Sequence, residues 1–328
     1  MNKKHDHERG VALIAVLCLI FTAGLLVGAL VMIAQIHTVN IGAATAIARS
    51  KYIAEGSLNR IQYLIEADRE LFESVNNTET NYGEYDHDRF LPDSVDREIN
   101  YYGTIVKYRI VNGASGLQMA QNRYRQSLNM LRSTLTGADT VNDKITILAN
   151  RIADYVDSDD NTGTDGMEKG DYEELEMNNL PRNAQFQFRE ELRWIPEIND
   201  ILPVDKNGRF SLVRLPSISE NIRPDLYTAS WAQLRIYGGL DEKQAAEVMN
   251  ALTIWRREKT PLGDLIDPLL LGTVLNRFSI APSNYYSIII EHAIDGDRPT
   301  SRLVATFRTA GAAGPNDGII RYLEWLCF

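Results

Sequence analysis

The sequence predicts an α+β fold: a long N-terminal helix packed on an antiparallel sheet, with a large all-α domain inserted among the strands. Three observations predict it. No Asp, Glu, Lys or Arg occurs between Arg9 and Arg49, and the apolar run 11–36 fills most of that interval. Alternating apolar and polar residues, the period of a half-buried strand, occur near position 100 and again after 284. Between those two places the period is helical. Strands that close a chain after a helical block imply an insertion into an α+β unit.

Taken in order, the apolar run comes first. At about 1.5 Å per residue it reaches roughly 39 Å, more than the roughly 30 Å hydrocarbon core of a bilayer. A helix is the form that satisfies its backbone in lipid. The short polar leader MNKKHDHERG precedes it and ends on Gly10. The run is too long for a secretory signal peptide, and no turn signal follows at Gln35, His37 or Asn40. Two readings remain. One is a plain membrane anchor; the other is a type IV pilin-like leader cut between Gly10 and Val11, which makes the apolar helix the mature N-terminus. Lys3, Lys4 and Arg9 precede the helix, diluted by Asp6 and Glu8, so an outward-facing soluble part is favoured weakly.

The helical period continues over 41–72. Ala54, Leu58, Ile61, Ile65 and Phe72 form an apolar stripe opposite Glu55, Asn59, Arg60 and Arg69. One continuous helix is expected, half in lipid and half laid on a sheet. A polar loop over 73–96 leads to strands at 99–102 and 105–111. Helices follow along Tyr124, Leu128, Leu131 and Leu135, then along Ile145, Leu148, Ile152 and Val156, the latter opened by Thr140 and Asp143 at capping-box spacing. More are expected at 190–195, 231–236 and 241–255. Strands return at 286–294 and 302–308, joined by a turn at 295–297, and a glycine-rich loop 310–318 leads to a closing strand over 319–328. The domains therefore read as a leader 1–10, a membrane helix 11–36, helix and first strands 37–116, an inserted helical domain 117–276, and returning strands 277–328.

Composition excludes several functions. Net charge is −10 in 328 residues, with Lys and Arg scattered, so no basic face for nucleic acid is expected. The two cysteines, Cys18 and Cys327, are badly placed to pair. His87 and His292 lack partners at metal spacing, and the sequence carries no G-x-S-x-G, P-loop or H-E-x-x-H pattern, so no catalytic set is expected. Trp194, Trp231, Trp255 and Trp325 read as core or cap residues.

The sharpest local feature is the acidic stretch 157–168. Asp157, Asp159, Asn161, Asp165 and Glu168 occupy the first, third, fifth, ninth and twelfth places of an EF-hand-type loop, and the Gly163 carbonyl stands at the seventh. Hard oxygen ligands at that spacing point to calcium, with a solvated acidic loop as the plain alternative. The sixth place is Thr162 where an EF-hand has glycine, so the turn must lie elsewhere, with Asp160 or Asp171 as substitute ligands. The stretch 234–241, with Gly238 and Gly239, faintly resembles a helix-hairpin-helix, and a membrane-anchored DNA-uptake receptor is the runner-up function. Asp241 and Glu242 stand there where basic residues would help.

With these pieces placed, the chain resembles the K-component family of the type II secretion system, large minor pseudopilins. Arg9-Gly-Val-Ala-Leu-Ile14 is similar to the family's processing site and Tyr52-Ile-Ala-Glu-Gly56 to its helix continuation. Ile152-Ala-Asp-Tyr-Val-Asp-Ser-Asp-Asp160 with 166–172 is similar to its acidic stretch, Glu190-Glu-Leu-Arg193 to its "DELR" helix, and 278–286 to its returning strand. The segment 219–230 departs from the family's "NxNTA" pattern. The resemblance implies a pilin-like domain with a helical insertion, calcium in that insertion, and cleavage by prepilin peptidase before Val11 with methylation of the new amine. It implies a non-enzymatic role at the pseudopilus tip, in the inner membrane with the soluble part in the periplasm. Expected partners are other minor pseudopilins, the major pseudopilin and exported cargo, with contacts through Leu58, Ile61 and Ile65. Counting from Val11, Ala15 stands where ordinary pilins carry glutamate, which costs roughly 2–3 kcal/mol in mid-bilayer unless paired. A topmost subunit needs no such carboxylate.

Overall fold

The structure is a computed structural model describing residues 5–71, 89–120, 123–132, 138–202, 204, 208–218, 222–280, 283–292, 301–309 and 320–327. Residues 1–4, most of the 73–96 loop, Leu135, the 295–297 turn and the 310–318 loop lie outside that set. Helix α1 runs unbroken over His5–Leu71, about 100 Å at 1.5 Å per residue. Gly10 and Val11 lie on its backbone. Among the described residues it is the helix long and apolar enough to cross a membrane.

The second half of α1 lies on a five-stranded sheet of order β1-β2-β3-β4-β5, antiparallel throughout. The strands are β1 (Asp96–Tyr101), β2 (Thr104–Asn112), β3 (Tyr285–His292), β4 (Ser301–Arg308) and β5 (Arg321–Cys327). Period-2 alternation sends Val106, Tyr108 and Ile110 to the helix side of β2, with Ile288 and Ile290 of β3 beside them. Against these sit Ala54, Leu58, Ile61 and Ile65, each at most 1% exposed. Arg89 and Asp68 pair at 2.8 Å behind the seam, and Tyr322 Oη donates to Gln62 Oε1 at 2.6 Å.

This burial corrects one expectation. Leu58, Ile61 and Ile65, expected to contact partners, pack instead on the sheet, because an amphipathic stripe covers the nearest apolar surface and the chain supplies its own. They are unavailable to another subunit. What α1 does present outward includes Tyr52 and Tyr63, each 71% exposed.

Strands β2 and β3 are hydrogen-bonded neighbours, yet 113–284 separates them in sequence. That segment is the helical block, and it holds two cores. The first gathers Leu128 of α2 (Tyr124–Arg132), Leu148 and Ile152 of α3 (Ala138–Val156) and Tyr172 of α4 (Lys169–Glu174). The second gathers Leu234 of α5 (Trp231–Ile236), Leu252 and Trp255 of α6 (Glu242–Glu258), Leu262 of α7 (Leu262–Leu265) and Val274 of α8 (Pro268–Arg277). Reciprocal capping boxes open α5 at Ser230 and Gln233 and α6 at Asp241 and Gln244.

Several local expectations differ. Helix α3 starts at Ala138, before Thr140 and Asp143. The 190–195 helix is a 3-10 turn over Arg189–Trp194. Leu117 is not helical; it pairs in parallel with Val213, where Gly116 lets two backbones approach. A Cβ on Gly116 would stand 2.6 Å from Arg214 N, and its φ of +132° also favours glycine. Of the four tryptophans Trp255 is buried, whereas Trp194, Trp231 and Trp325 are exposed.

Candidate metal centre

Asp154 lies in the last turn of α3 and Asp157 just past its end, three residues on, where its amide still donates to the Ala153 carbonyl at 3.0 Å. The chain then loops over 158–167 and returns at Glu168, the N-cap of α4. Asp171 Oδ2 accepts from Glu168 N at 2.8 Å, which fixes that corner. Each of Asp154, Asp157 and Glu168 brings one carboxylate oxygen within 4.8 Å of the others.

Glycines make this approach possible. A Cβ on Gly166 would lie 1.8 Å from Asp154 Oδ2, and one on Gly163 would lie 3.0 Å from Asp154 Oδ1. Gly163 N donates to Asp154 Oδ2 at 3.0 Å, and Asn150 Nδ2 donates to the Thr164 carbonyl at 2.8 Å. The tight turn falls at 164–165, with Asp165 at φ +54°, two to three residues after the place an EF-hand would use. Thr162 in place of glycine is the physical reason.

The electrostatics would favour a bound cation. Both Glu168 oxygens and Asp157 Oδ1 are buried with no hydrogen-bond donor among the described residues. Orphaned buried acceptors of this kind are costly, more so when charged. Burial first, then the charges of Asp154, Asp157, Asp160 and Asp159, pushes the Glu168 carboxyl up to about 7. Burial, with Asp159 and Asp154, also raises Asp157. Behind them Tyr172 packs edge-on to Tyr155, which stacks on Phe186 at 5.3 Å.

Of the expected ligands, the structure brings Asp157 and Glu168 together and adds Asp154, which sequence reasoning missed. Asp159 Oδ1 instead accepts from Asn161 N and Nδ2, at 2.9 and 2.8 Å. Asp165 is exposed and stands outside the carboxylate group. Asp160 accepts from Asn183 at 3.1 Å. Gly163 turns its amide toward Asp154, and its carbonyl accepts from Gly166 N at 3.1 Å. The signal for Asp154 was the i, i+3 step back into the helix.

The hairpin at Gly238 and Gly239 serves packing. The Gly238 amide donates back to Gln233 O at 3.4 Å and the Leu240 amide to Leu234 O at 3.5 Å. Those donors are consumed inside the turn rather than offered to phosphates.

A family model described as type II secretion system (T2SS), protein K, matches residues 111–202, which span α2 to the acidic loop and the 3-10 turns beyond it. That segment is similar to the protein K family of the type II secretion system. The matched segment is under a third of the chain, and it holds Asp154, Asp157 and Glu168 together with most of the first helical core. A solved chain from the crystal structure of the GspK-GspI-GspJ complex from the enterotoxigenic Escherichia coli Type 2 Secretion System superposes with a TM-score of 0.44 and 12% identity. The alignment covers 72% of this chain and 84% of that one. Among curated proteins nothing matches.

Proposed function

We propose that the chain is a minor pseudopilin of a type II secretion system that caps the pseudopilus tip and helps initiate its assembly for protein export. The observation that carries this reading is topological. A protein K segment lies within a block placed between adjacent strands β2 and β3 of a sheet laid on a long apolar helix. Pilin-like subunits assemble by stacking their N-terminal helices. A head enlarged by roughly half the chain obstructs a subunit above it and obstructs nothing at the top. Ala15 agrees, since a topmost helix has no higher neighbour's amine to neutralise.

In this reading α1 anchors the protein in the inner membrane as a single pass, the soluble part faces the periplasm, and prepilin peptidase cuts before Val11. Other minor pseudopilins contact the outward side of α1. Cysteine placed at Tyr52 or Tyr63, with Cys18 and Cys327 replaced by serine, should crosslink to minor pseudopilins in preference to the major one. Crosslinks to major subunits along the whole filament would overturn the tip position.

Calcium belongs to the same proposal. The orphaned oxygens of Glu168 and Asp157 and the cradle made by Gly163 and Gly166 fit a hard divalent cation. Asp154, Asp157 and Glu168 would hold it. Calcium there would neutralise carboxylates that repel one another, and so tie the end of α3 to the start of α4.

A further inference from the structure

The face of the sheet turned away from α1 is the floor of a cleft of about 620 Å³ whose roof is the helical block. Five arginines line it: Arg109 and Arg302 from the floor, Arg189, Arg209 and Arg256 from the roof. One carboxylate, Glu324 of β5, lines it with them. That balance is opposite in sign to the whole chain, at −10.

The rim and the interior differ. Arg109 pairs with Asp96 at 2.7 Å and Arg302 with Glu291 at 3.5 Å, but those carboxylates are 73% and 47% exposed and the pairs are weak. Inside, Arg189 and Arg209 both donate to the same oxygen of Glu324, whose other oxygen accepts from Thr306 Oγ1 at 3.2 Å. Glu190 stands at the outer edge of the two arginines, 3.4 and 3.7 Å away. Among the described residues Arg256 has no carboxylate in hydrogen-bond contact, although the charges of Asp93 and Asp225 act on it from nearby; it donates to the Tyr227 carbonyl, at 2.8 Å from Nη2. Burial is the main influence on Arg256 and lowers its pKa. One further buried donor of the lining, Ser115 Oγ, lacks a hydrogen-bond acceptor among the described residues, and Arg302 Nε has only the long 3.5 Å ion pair with Glu291.

We propose that this cleft is a docking site for an acidic, extended segment of a partner polypeptide, whose carboxylates meet Arg256, Arg302 and Ser115. Glu324 already shows the chemistry: a carboxylate held by two guanidiniums and a hydroxyl. Arginine is suited to it because its planar fork matches a carboxylate in two parallel bonds. A polypeptide fits better than a lone anion because the charge is interleaved with apolar surface. Val111, Ile289 and Val304 share the floor with the arginines, and Met249 and the exposed Trp231 stand in the roof. An extended chain that alternates acidic and apolar side chains turns its carboxylates to one wall of the cleft and its apolar groups to the other, and both walls carry arginine beside apolar surface. The cleft lies apart from the carboxylate cluster at Asp154, so this proposal does not depend on calcium or on the tip position.

The test uses the detergent-solubilised full chain and the capped peptide acetyl-Glu-Val-Glu-Val-Glu-amide, read by Trp fluorescence and by calorimetry. Saturable binding is expected, with Arg256→Gln weakening it about tenfold or more, the loss that goes with one charge-assisted contact. Because Arg256 also holds the Tyr227 carbonyl, Arg302→Gln provides a second reading and should weaken binding as well. Arg257→Gln, at a residue outside the cleft whose side chain is 79% exposed, should leave binding unchanged. The lysine analogue of the peptide should not bind. Equal binding by wild type and both cleft variants would overturn the proposal. So would inorganic phosphate binding as tightly as the peptide at matched ionic strength, because that describes a small-anion site.

Discussion

Replacing Gly166 by alanine places a Cβ 1.8 Å from Asp154 Oδ2 and 2.6 Å from its Cγ, so the carboxylate must leave its place. Asp154 is 4% exposed and accepts the Gly163 amide at 3.0 Å, a charge-assisted bond worth about 1.5–3 kcal/mol. Its departure also relieves repulsion on Asp157 and Glu168, so the metal-free protein should lose only about 1 kcal/mol, below that range. The larger effect is on the ion. At a hundredfold excess over Kd, calcium should stabilise wild type by about 2.7 kcal/mol, and Gly166→Ala should lose most of that gain. Gly170→Ala is the matched control. Nothing lies within 4 Å of its Cβ, and a helical Gly→Ala change gains up to about 0.5–1 kcal/mol. Urea unfolding of the detergent-solubilised chain, with calcium or with chelator, separates the two variants. A calcium gain in Gly166→Ala equal to that of wild type would refute the assignment of Asp154.

Two further outcomes follow from the fold. Ile61→Ala, fully buried between α1 and the sheet, should destabilise by about 2–5 kcal/mol in denaturant, while Tyr63→Ala on the open side should stay within about 0.5 kcal/mol. Asp225 is buried in the second helical core, and burial pushes its carboxyl up to about 7 from 3.8, against hydrogen bonds from Thr228 and Tyr227 and the charge of Arg256. A raised folded-state value means its contribution is complete below about pH 4 and is lost progressively as pH rises from there to about 7, about 4 kcal/mol in all. Unfolding free energies of Asp225→Asn and wild type should therefore diverge in favour of the variant between about pH 4 and 7 and keep a constant difference above that. Parallel curves would show that Asp225 does not titrate in that window.

Much of this architecture was legible because it rests on periodicity. The stripe at Leu58, Ile61 and Ile65, the alternation in β3 and the capping residues of α6 are local patterns with one physical reading each. Which surface the stripe covers is a tertiary fact. The sequence offered a sheet and a partner, and proximity within the chain favoured the sheet. The acidic loop was legible as chemistry but not as geometry. A ligand template counted forward from Asp157 could not find Asp154, one turn back in α3, nor see that Asp159 turns to Asn161. The arginine cleft was invisible for another reason. Its residues are spread from Arg109 to Arg302 and converge only when β2 and β3 pair across the inserted block.

In the proposed reading this chain is a processed pseudopilin whose mature N-terminus is the apolar helix itself. Intact-protein mass spectrometry of the chain isolated from membranes tests it most directly. The account predicts a single mature species beginning at Val11, with the mass of one added methyl group. A chain still beginning at Met1, or one cut after Ala34, would contradict it.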